Sequence, residues 1–268
     1  MKVLGTPIEV LAESGRSRTI IVSDLHLPGV AGPVHDWFEA LLESTHASAS
    51  RTRLIVLGDL FDAWVSDAQL RMPVFARVVA ALAATRLAGV ELLVVHGNRD
   101  YLLGARFARA SGARVVAGGL RLPLAGRDTL LLHGDELCLR DLAYQRAKRW
   151  LRHPVTCAVL RSVPGAVALW LAGRARRVSR EVQAAGTRDR YEATAAAIDT
   201  AFAASGCDVL IHGHVHRAAR TPRGGGREVI VLPAFDVDGV HLAADGERLH
   251  YRDREGRPLA DFPAQHWT

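Results

Sequence analysis

Cysteine is scarce. Cys138, Cys157 and Cys207 are the only three in 268 residues. An odd number without paired spacing argues against a disulfide framework and fits a reducing compartment. No stretch offers about 18 uninterrupted apolar residues, so no membrane-spanning helix is expected. The first 19 residues lack the apolar core of a secretory signal, so none is expected there. No segment repeats, and the only low-complexity run is Gly224-Gly225-Gly226, read as a turn.

What is present suits one large soluble domain, or one domain carrying an insertion. Apolar residues make up 49% and charged residues 23%, enough for a sizeable core under an ordinary surface. Net charge is +6, unevenly spread: residues 140–190 hold twelve Lys/Arg against three Asp/Glu, a local +9 that leaves the remainder near −3. A basic segment on a mildly acidic body suits an anionic partner such as phospholipid headgroups, a phosphorylated substrate or nucleic acid. The alternative is a solvated, Arg-rich face.

Apolar patterning divides the chain. Residues 20–22, 54–57, 92–95 and 209–211 read as buried strands, and the apolar run 129–132 leads into a fifth block. Pro33 opens a helical pattern through Leu42, and Gly89 closes another over 72–87. A short helix is expected over 102–111, then short strands with Gly-rich turns over 113–132. This β-α-β-α-β opening predicts an α/β sandwich of sheets with helices outside. Helices are expected over about 141–152, 155–161, 164–178 and 188–204, with strands resuming at 208–211, 228–232 and 240–242. The predicted core is therefore 19–137 and 206–252. Residues 138–205 are a helical insertion placed as a lid, and 1–18 and 253–268 are terminal extensions.

Five polar blocks follow those strands: Ser23-Asp24-Leu25-His26, Gly58-Asp59, Gly97-Asn98-Arg99-Asp100, His133-Gly134-Asp135 and Gly213-His214-Val215-His216. A lone Asp-x-His or His-x-His is more often structural than metal-binding. Five such blocks in order, each at a strand end, point to one polynuclear metal corner. Two cations a few Å apart repel, so a carboxylate shared between them is favoured, and Asp59 is the candidate bridge. Asp24, His26 and His216 complete one site; Asn98, His133 and His214 complete the other. Carboxylate, amide and imidazole donors without thiolate suit Mn²⁺, Fe²⁺ or Co²⁺, and Zn²⁺ is also compatible. Such a pair activates a bridging water for in-line attack on phosphorus. His96 and His212 lie inside strand runs and read as core or supporting residues. Asp100 and Asp135 are expected to orient ligand imidazoles. Asp62 and Asp67 fit either a supporting or a surface role, surface being favoured.

The five blocks, spanning residues 24 to 216, resemble the calcineurin-like metallophosphoesterases. That resemblance implies a four-layer α/β/β/α sandwich. Many members carry His in the Gly-Asn-His-Asp block, where it contacts phosphate and can act as acid; this chain has Arg99, whose fork can clamp phosphate oxygens. Gly97-Asn98-Arg99-Asp100-Tyr101-Leu102-Leu103-Gly104, Gly58-Asp59-Leu60-Phe61-Asp62-Ala63-Trp64 and His133-Gly134-Asp135-Glu136-Leu137-Cys138 are similar to the UDP-2,3-diacylglucosamine pyrophosphatase family of lipid A synthesis. The similarity implies a hydrolase that cleaves the substrate's pyrophosphate to UMP and 2,3-diacylglucosamine 1-phosphate, usually with two Mn²⁺ ions. It also implies catalytic roles for Arg99 and Asp59. Substrate contacts are implied for Asn98, Arg99, Asp141, Tyr144 and His214. The protein is then expected in the cytoplasm, peripheral to the inner face of the cytoplasmic membrane, without a nucleic-acid partner and as a monomer. Another nucleotide pyrophosphate or phosphodiester is the alternative substrate. The pattern is departed from at Ala218, where Pro is usual, and at Leu232-Pro233-Ala234-Phe235-Asp236, where a Gly-x-Trp turn is usual. A substrate-contacting Lys of the family falls near Gly186, with Arg188 the nearest basic residue.

Overall fold

A computed structural model of the protein describes residues 1–12, 15–164 and 191–265, with 167, 170, 171, 173, 174 and 177 between the last two stretches. Two sheets face each other. The first holds four parallel strands at Arg18–Val22 (β3), Thr52–Leu57 (β4), Glu91–Val95 (β5) and Arg114–Val116 (β6). His241–Asp245 (β12) and Arg248–Arg252 (β13) extend it antiparallel beyond β3. The second sheet takes Lys2–Val3 (β1), Thr6–Val10 (β2), Gly119–Leu124 (β7), Arg127–Leu132 (β8), Val209–His212 (β9), Arg227–Val231 (β11) and Ala219–Arg223 (β10), in that spatial order.

The period of two along each strand builds three apolar layers from one sequence pattern. Ile20 and Val22 of β3, with Leu54 and Val56 of β4, face outward to helices. Ile21, Ile55 and Leu57 face inward, against Leu120, Leu131 and Ile211 of the second sheet. Both faces are covered, which is why these strands read as continuous apolar runs. The helices Pro33–Ser44 (α1), Pro73–Leu87 (α2) and Ala105–Ser111 (α3) cover the first sheet. On α2, Phe75, Val78, Val79 and Leu82 recur at helical spacing and are all buried. The α/β/β/α sandwich is thus the architecture observed.

Three boundaries differ from the sequence reading. Residues 1–18, expected as an extension, supply the hairpin β1–β2, whose second strand pairs in parallel with β7. Val3 and Ile8 are buried against the second sheet's outer core, so the hairpin is held by burial that a short alternating stretch does not advertise. Residues 253–265 fold back as well. Leu259 and Phe262 pack on the inter-sheet core, and Gln265 pairs through its backbone with Thr221. Third, the helix expected over 188–204 is described as Ala195–Ser205 (α6), capped by Thr194. Its Ala197, Ile198, Ala201 and Phe202 form the outer layer on the second sheet, so it belongs to the core and not to the insertion. Of the insertion, Leu142–Leu151 (α4) and Pro154–Arg161 (α5) are seen close to their expected spans. The helix expected over 164–178 lies largely outside the described residues, as do Gly186 and Arg188.

Tyr251 of β13 ties the two sheets together. It is fully buried, and its hydroxyl lies 2.9 Å from the Val231 carbonyl and 3.1 Å from that of Ala219, across the sandwich. Tyr251→Phe leaves those carbonyls without their donor inside the core. We expect a loss of about 1–2 kcal/mol. Urea unfolding checks this: the midpoint falls while the slope is unchanged.

Candidate metal centre

The strands β3, β4 and β5 are parallel and end at one edge of the first sheet. The strands β8 and β9 end at the matching edge of the second. Each polar block is the loop that leaves one of these ends, so all five converge. The loops are laced by backbone hydrogen bonds. Leu25 and His26 both donate N–H to the Asp59 carbonyl at 3.0 Å, and Gly213 donates to His133 O at 2.9 Å. Such close approach needs glycine. A Cβ on Gly97 would run into the Asp59 carboxylate, and one on Gly213 into Ser23 and the Asp24 carboxylate.

The backbone is strained at the same residues. Asp24, His26, Asp59, His214 and His216 all have φ between 44° and 68°, the left-handed region that non-glycine residues avoid. Among the described non-glycine residues only Leu4 and Ala125 share it. Five of the seven predicted ligands therefore sit in costly conformations, the pattern expected where a site and not the fold dictates the geometry.

Asp24 and Asp59 are buried carboxylates at the centre. Asp59 faces His26 Nε2 with Oδ2 at 3.3 Å and His133 Nε2 with Oδ1 at 3.7 Å. Asp24 Oδ1 lies 3.2 Å from His216 Nε2, and its Oδ2 accepts from the His214 backbone N–H at 2.9 Å. Asn98 Oδ1 lies 3.0 Å from His133 Nε2. The ring of His214 stands edge-on to that of His133, centroids 5.1 Å apart. All seven predicted ligands are thus brought to one corner. Two groups have donor atoms mutually within 4.8 Å: Asp24 with His26 and His216, and Asp24 with Asp59 and His133. Asp24 is common to both groups, while Asp59, the expected bridge, presents one oxygen to an imidazole on each side.

The protonation pattern reports how anionic this corner is. Burial would raise the Asp24 and Asp59 carboxyls. The His216 contact on Asp24 and the imidazoles around both carboxylates outweigh it and hold the two below their usual range. Burial would depress His26, yet the Asp236 and Asp59 carboxylates push it up to about 10. His133 rises to about 8 against burial, through Asp59 and Asp24. His214 is pushed down to about 4 by burial and by neighbouring His133, which keeps a lone pair free. The corner thus gathers positive charge as protons, and a divalent cation would replace them. His26 Nε2 supports that fit, being buried without a hydrogen-bond partner between the two carboxylates. Oxygen and nitrogen donors without sulfur suit borderline and hard divalent ions.

Second-tier contacts differ from expectation. Asp100 does not orient an imidazole. Its oxygens accept from the Leu60 and Gly97 backbone N–H groups at 2.7 and 2.8 Å, pinning two ligand loops together. Asp135 gathers the insertion instead: Lys148 Nζ at 2.7 Å, Arg152 at 3.3 Å, and the Tyr144 hydroxyl. As the buried carboxylate beneath a basic helix, it is their nearest counter-charge. Asp141 caps α4 by accepting from Tyr144 N–H. Asp62 is not left at the surface: it pairs with Arg99 at 2.9 Å, and Arg99 Nε lies 3.4 Å from Asp59. Asp67 is also drawn in, its side chain 10% exposed and 3.8 Å from Arg106. His96 and His212 are buried within the core and donate to the backbone carbonyls of Leu103 and Gly213. The residue missed by sequence reading is Asp236, whose Oδ2 accepts from His26 Nδ1 at 2.9 Å. It lies in the segment that departs from the family pattern, 210 residues along the chain, and no local signal marks it. It fixes the His26 ring with Nε2 toward the carboxylates, as the Leu57 carbonyl does for His133 through Nδ1 at 3.0 Å.

Comparison with known proteins agrees with this geometry. The pattern of the family described as calcineurin-like phosphoesterase matches residues 17–218. The chain is 35% identical over 235 residues to the UDP-2,3-diacylglucosamine hydrolase of Pseudomonas aeruginosa (strain UCBPP-PA14), covering 85% of this chain and 96% of that one. It is 36% identical over 259 residues to the UDP-2,3-diacylglucosamine hydrolase of Ralstonia nicotianae, covering 93% of each. A dimetal phosphatase from Danio rerio shares the fold, with a TM-score of 0.50 at 12% identity, over 92% of this chain and 98% of that one.

Metal binding must displace the protons held by His26 and His133, raised to about 10 and 8. Both imidazoles are protonated at pH 7 in the metal-free protein. Titration with Mn²⁺ should therefore release protons, and affinity should rise between pH 6 and 8. Calorimetry in buffers of different ionisation enthalpy measures the release. Asp236→Ala frees the His26 ring and is expected to weaken metal affinity by about 10–100-fold. Unchanged affinity in that variant would remove Asp236 from this role.

Proposed function

The chain belongs to the calcineurin-like phosphoesterase family, and we propose that it is a hydrolase cleaving the pyrophosphate bond of UDP-2,3-diacylglucosamine to UMP and 2,3-diacylglucosamine 1-phosphate. The observation that carries this is the assembly of seven carboxylate, amide and imidazole side chains at one corner with the Arg99 guanidinium beside them. The relatives named UDP-2,3-diacylglucosamine hydrolase, aligned over most of their length, support this choice of substrate.

Asp24, His26, Asp59, Asn98, His133, His214 and His216 would hold two divalent ions, which we assign as Mn²⁺. When bound, such ions activate water for attack and draw charge from phosphoryl oxygens. The chain's own residues do the rest. Asp59 and Asp62 hold the Arg99 side chain at the edge of the site, so its fork is oriented before substrate arrives. Arg99 clamps the scissile phosphate and meets the charge that builds on its oxygens. Asn98 and His214 stand beside the same phosphate. Asp141 and Tyr144, at the start of α4, face the glucosamine end. The Tyr144 hydroxyl is already committed to Asp135, which fixes the helix that carries both.

The insertion fits an amphiphilic substrate. Leu142, Trp150, Val155, Val159 and Trp170 are each more than 60% exposed, an unusual number of large apolar side chains for one segment of a chain. No helix among the described residues is long and apolar enough to cross a membrane. We assign this surface to acyl chains and to a shallow contact with the inner face of the cytoplasmic membrane, its arginines meeting anionic headgroups.

Two measurements test the reading. UMP release from UDP-2,3-diacylglucosamine should need Mn²⁺, stop with chelator and greatly exceed turnover of bis-p-nitrophenyl phosphate. Arg99→Ala should lower kcat by about 10²–10³-fold, with Lys a poor replacement because it lacks the fork. Efficient turnover of the small ester alone would keep the metal site and discard the lipid. Separately, Trp150→Asp with Val155→Asp should weaken cosedimentation with anionic vesicles by about tenfold. Unchanged sedimentation would remove the membrane assignment.

A further inference from the structure

A cavity of about 640 Å³ lies beside the metal corner, and none of the seven ligand residues lines it. One wall is the turn of the N-terminal hairpin, residues 4–7, which precedes the stretch matched by the family pattern. The opposite wall is one face of α4, with Lys148, Arg149 and Arg152 at helical spacing, and α5 adds Arg161. Among the described residues, no acidic side chain lines it.

Four cations converge on this space, with two carboxylates close beneath them. Asp135 pairs with Lys148 and Arg152. Glu136 is occupied by the Thr6 hydroxyl at 3.1 Å and the Gly134 N–H at 3.0 Å. A surplus of about two positive charges remains in a half-enclosed, partly apolar space, which focuses the field. Arg149 is exposed and pairs with no carboxylate among the described residues. Arg152 stacks over the Tyr101 ring at 5.8 Å, so an aromatic face stands next to the charge.

From the cationic lining, the volume and the aromatic wall, we propose that this cavity binds a phosphate-bearing small molecule of nucleotide size, at a site separate from the metal centre. Its phosphates lie among Lys148, Arg149 and Arg161, and its planar or sugar part rests on Tyr101. Such a ligand would be felt at the metal corner. Arg152 donates to the Gly97 carbonyl at 2.9 Å, next to Asn98, and Asp135 lies two residues beyond His133. The inference does not rest on the glycolipid reading.

ADP binding to the metal-free protein tests it by calorimetry, with inorganic pyrophosphate as a second probe. One site is expected, weakening as salt rises. Arg149→Glu and Pro7→Glu each place a carboxylate at an exposed position of the wall. Each should weaken ADP by about tenfold or more, while Arg99→Ala leaves it unchanged. Tighter binding of ADP than of pyrophosphate shows that the planar or sugar part is engaged; equal or weaker binding of ADP overturns the nucleotide-sized ligand. No binding, or binding lost in Arg99→Ala and indifferent to Arg149→Glu and Pro7→Glu, overturns the site. Failure of UMP release in the separate activity assay would sink the substrate reading and leave this result standing.

Discussion

Two carboxylates, Asp24 and Asp59, are buried side by side where five loops meet. Paired carboxylates out of water are costly unless matched by positive charge. Around them the chain also accepts left-handed backbone at five of the seven predicted ligands. Neither cost stabilises the fold by itself. Both are explained by a cation that the carboxylates and imidazoles share, and the raised His26 and His133 show protons standing in for it.

The rest of the architecture serves this corner. Parallel strands deliver loops to one edge, so two parallel stretches in facing sheets bring together residues almost 200 positions apart. Three further carboxylates then lock the loops from behind, each in a different way. Asp100 clasps the backbone of two loops, Asp236 aims one imidazole, and Asp135 moors the basic helix α4. Burial, with the Asp59 carboxylate beside it, pushes Asp100 up to about 6. The clasp is thus a weaker acid than a free carboxyl, as its place beside the charged Asp59 requires.

Much of this was legible in the chain. The ligand blocks are local in sequence and each directly follows an apolar run, so both type and place could be read. Asp236 could not, because its role comes from a contact across 210 residues with nothing periodic around it. Asp100 was legible as important but not in kind, since a carboxylate holding backbone N–H groups and one holding an imidazole look the same in sequence. The hairpin of residues 1–18 was missed because β1 is two residues long and β2 sits near the sheet edge, where alternation is short. The helix α6 was read as part of a lid because its alanine-rich face gives no clue to which layer it covers. Only its burial against Leu130, Leu210 and Val229 decides that.

Under the proposed function, Arg99 suits the kind of bond that would be cut. A phosphodiesterase that expels an alkoxide needs a proton at the leaving oxygen, since an alcohol is about as weak an acid as water. A guanidinium holds its proton too tightly to supply it. Cleavage of a pyrophosphate expels a phosphate monoester instead, whose own second ionisation lies near pH 6 or so. It leaves as a stable anion and needs charge stabilisation more than protonation. In that proposal Arg99 would offer it, since Asp59 and Asp62 hold its side chain between them. Where the resembling family often has His, this chain has traded a proton donor for a fixed positive charge. The trade makes physical sense for an anhydride and little sense for a simple ester.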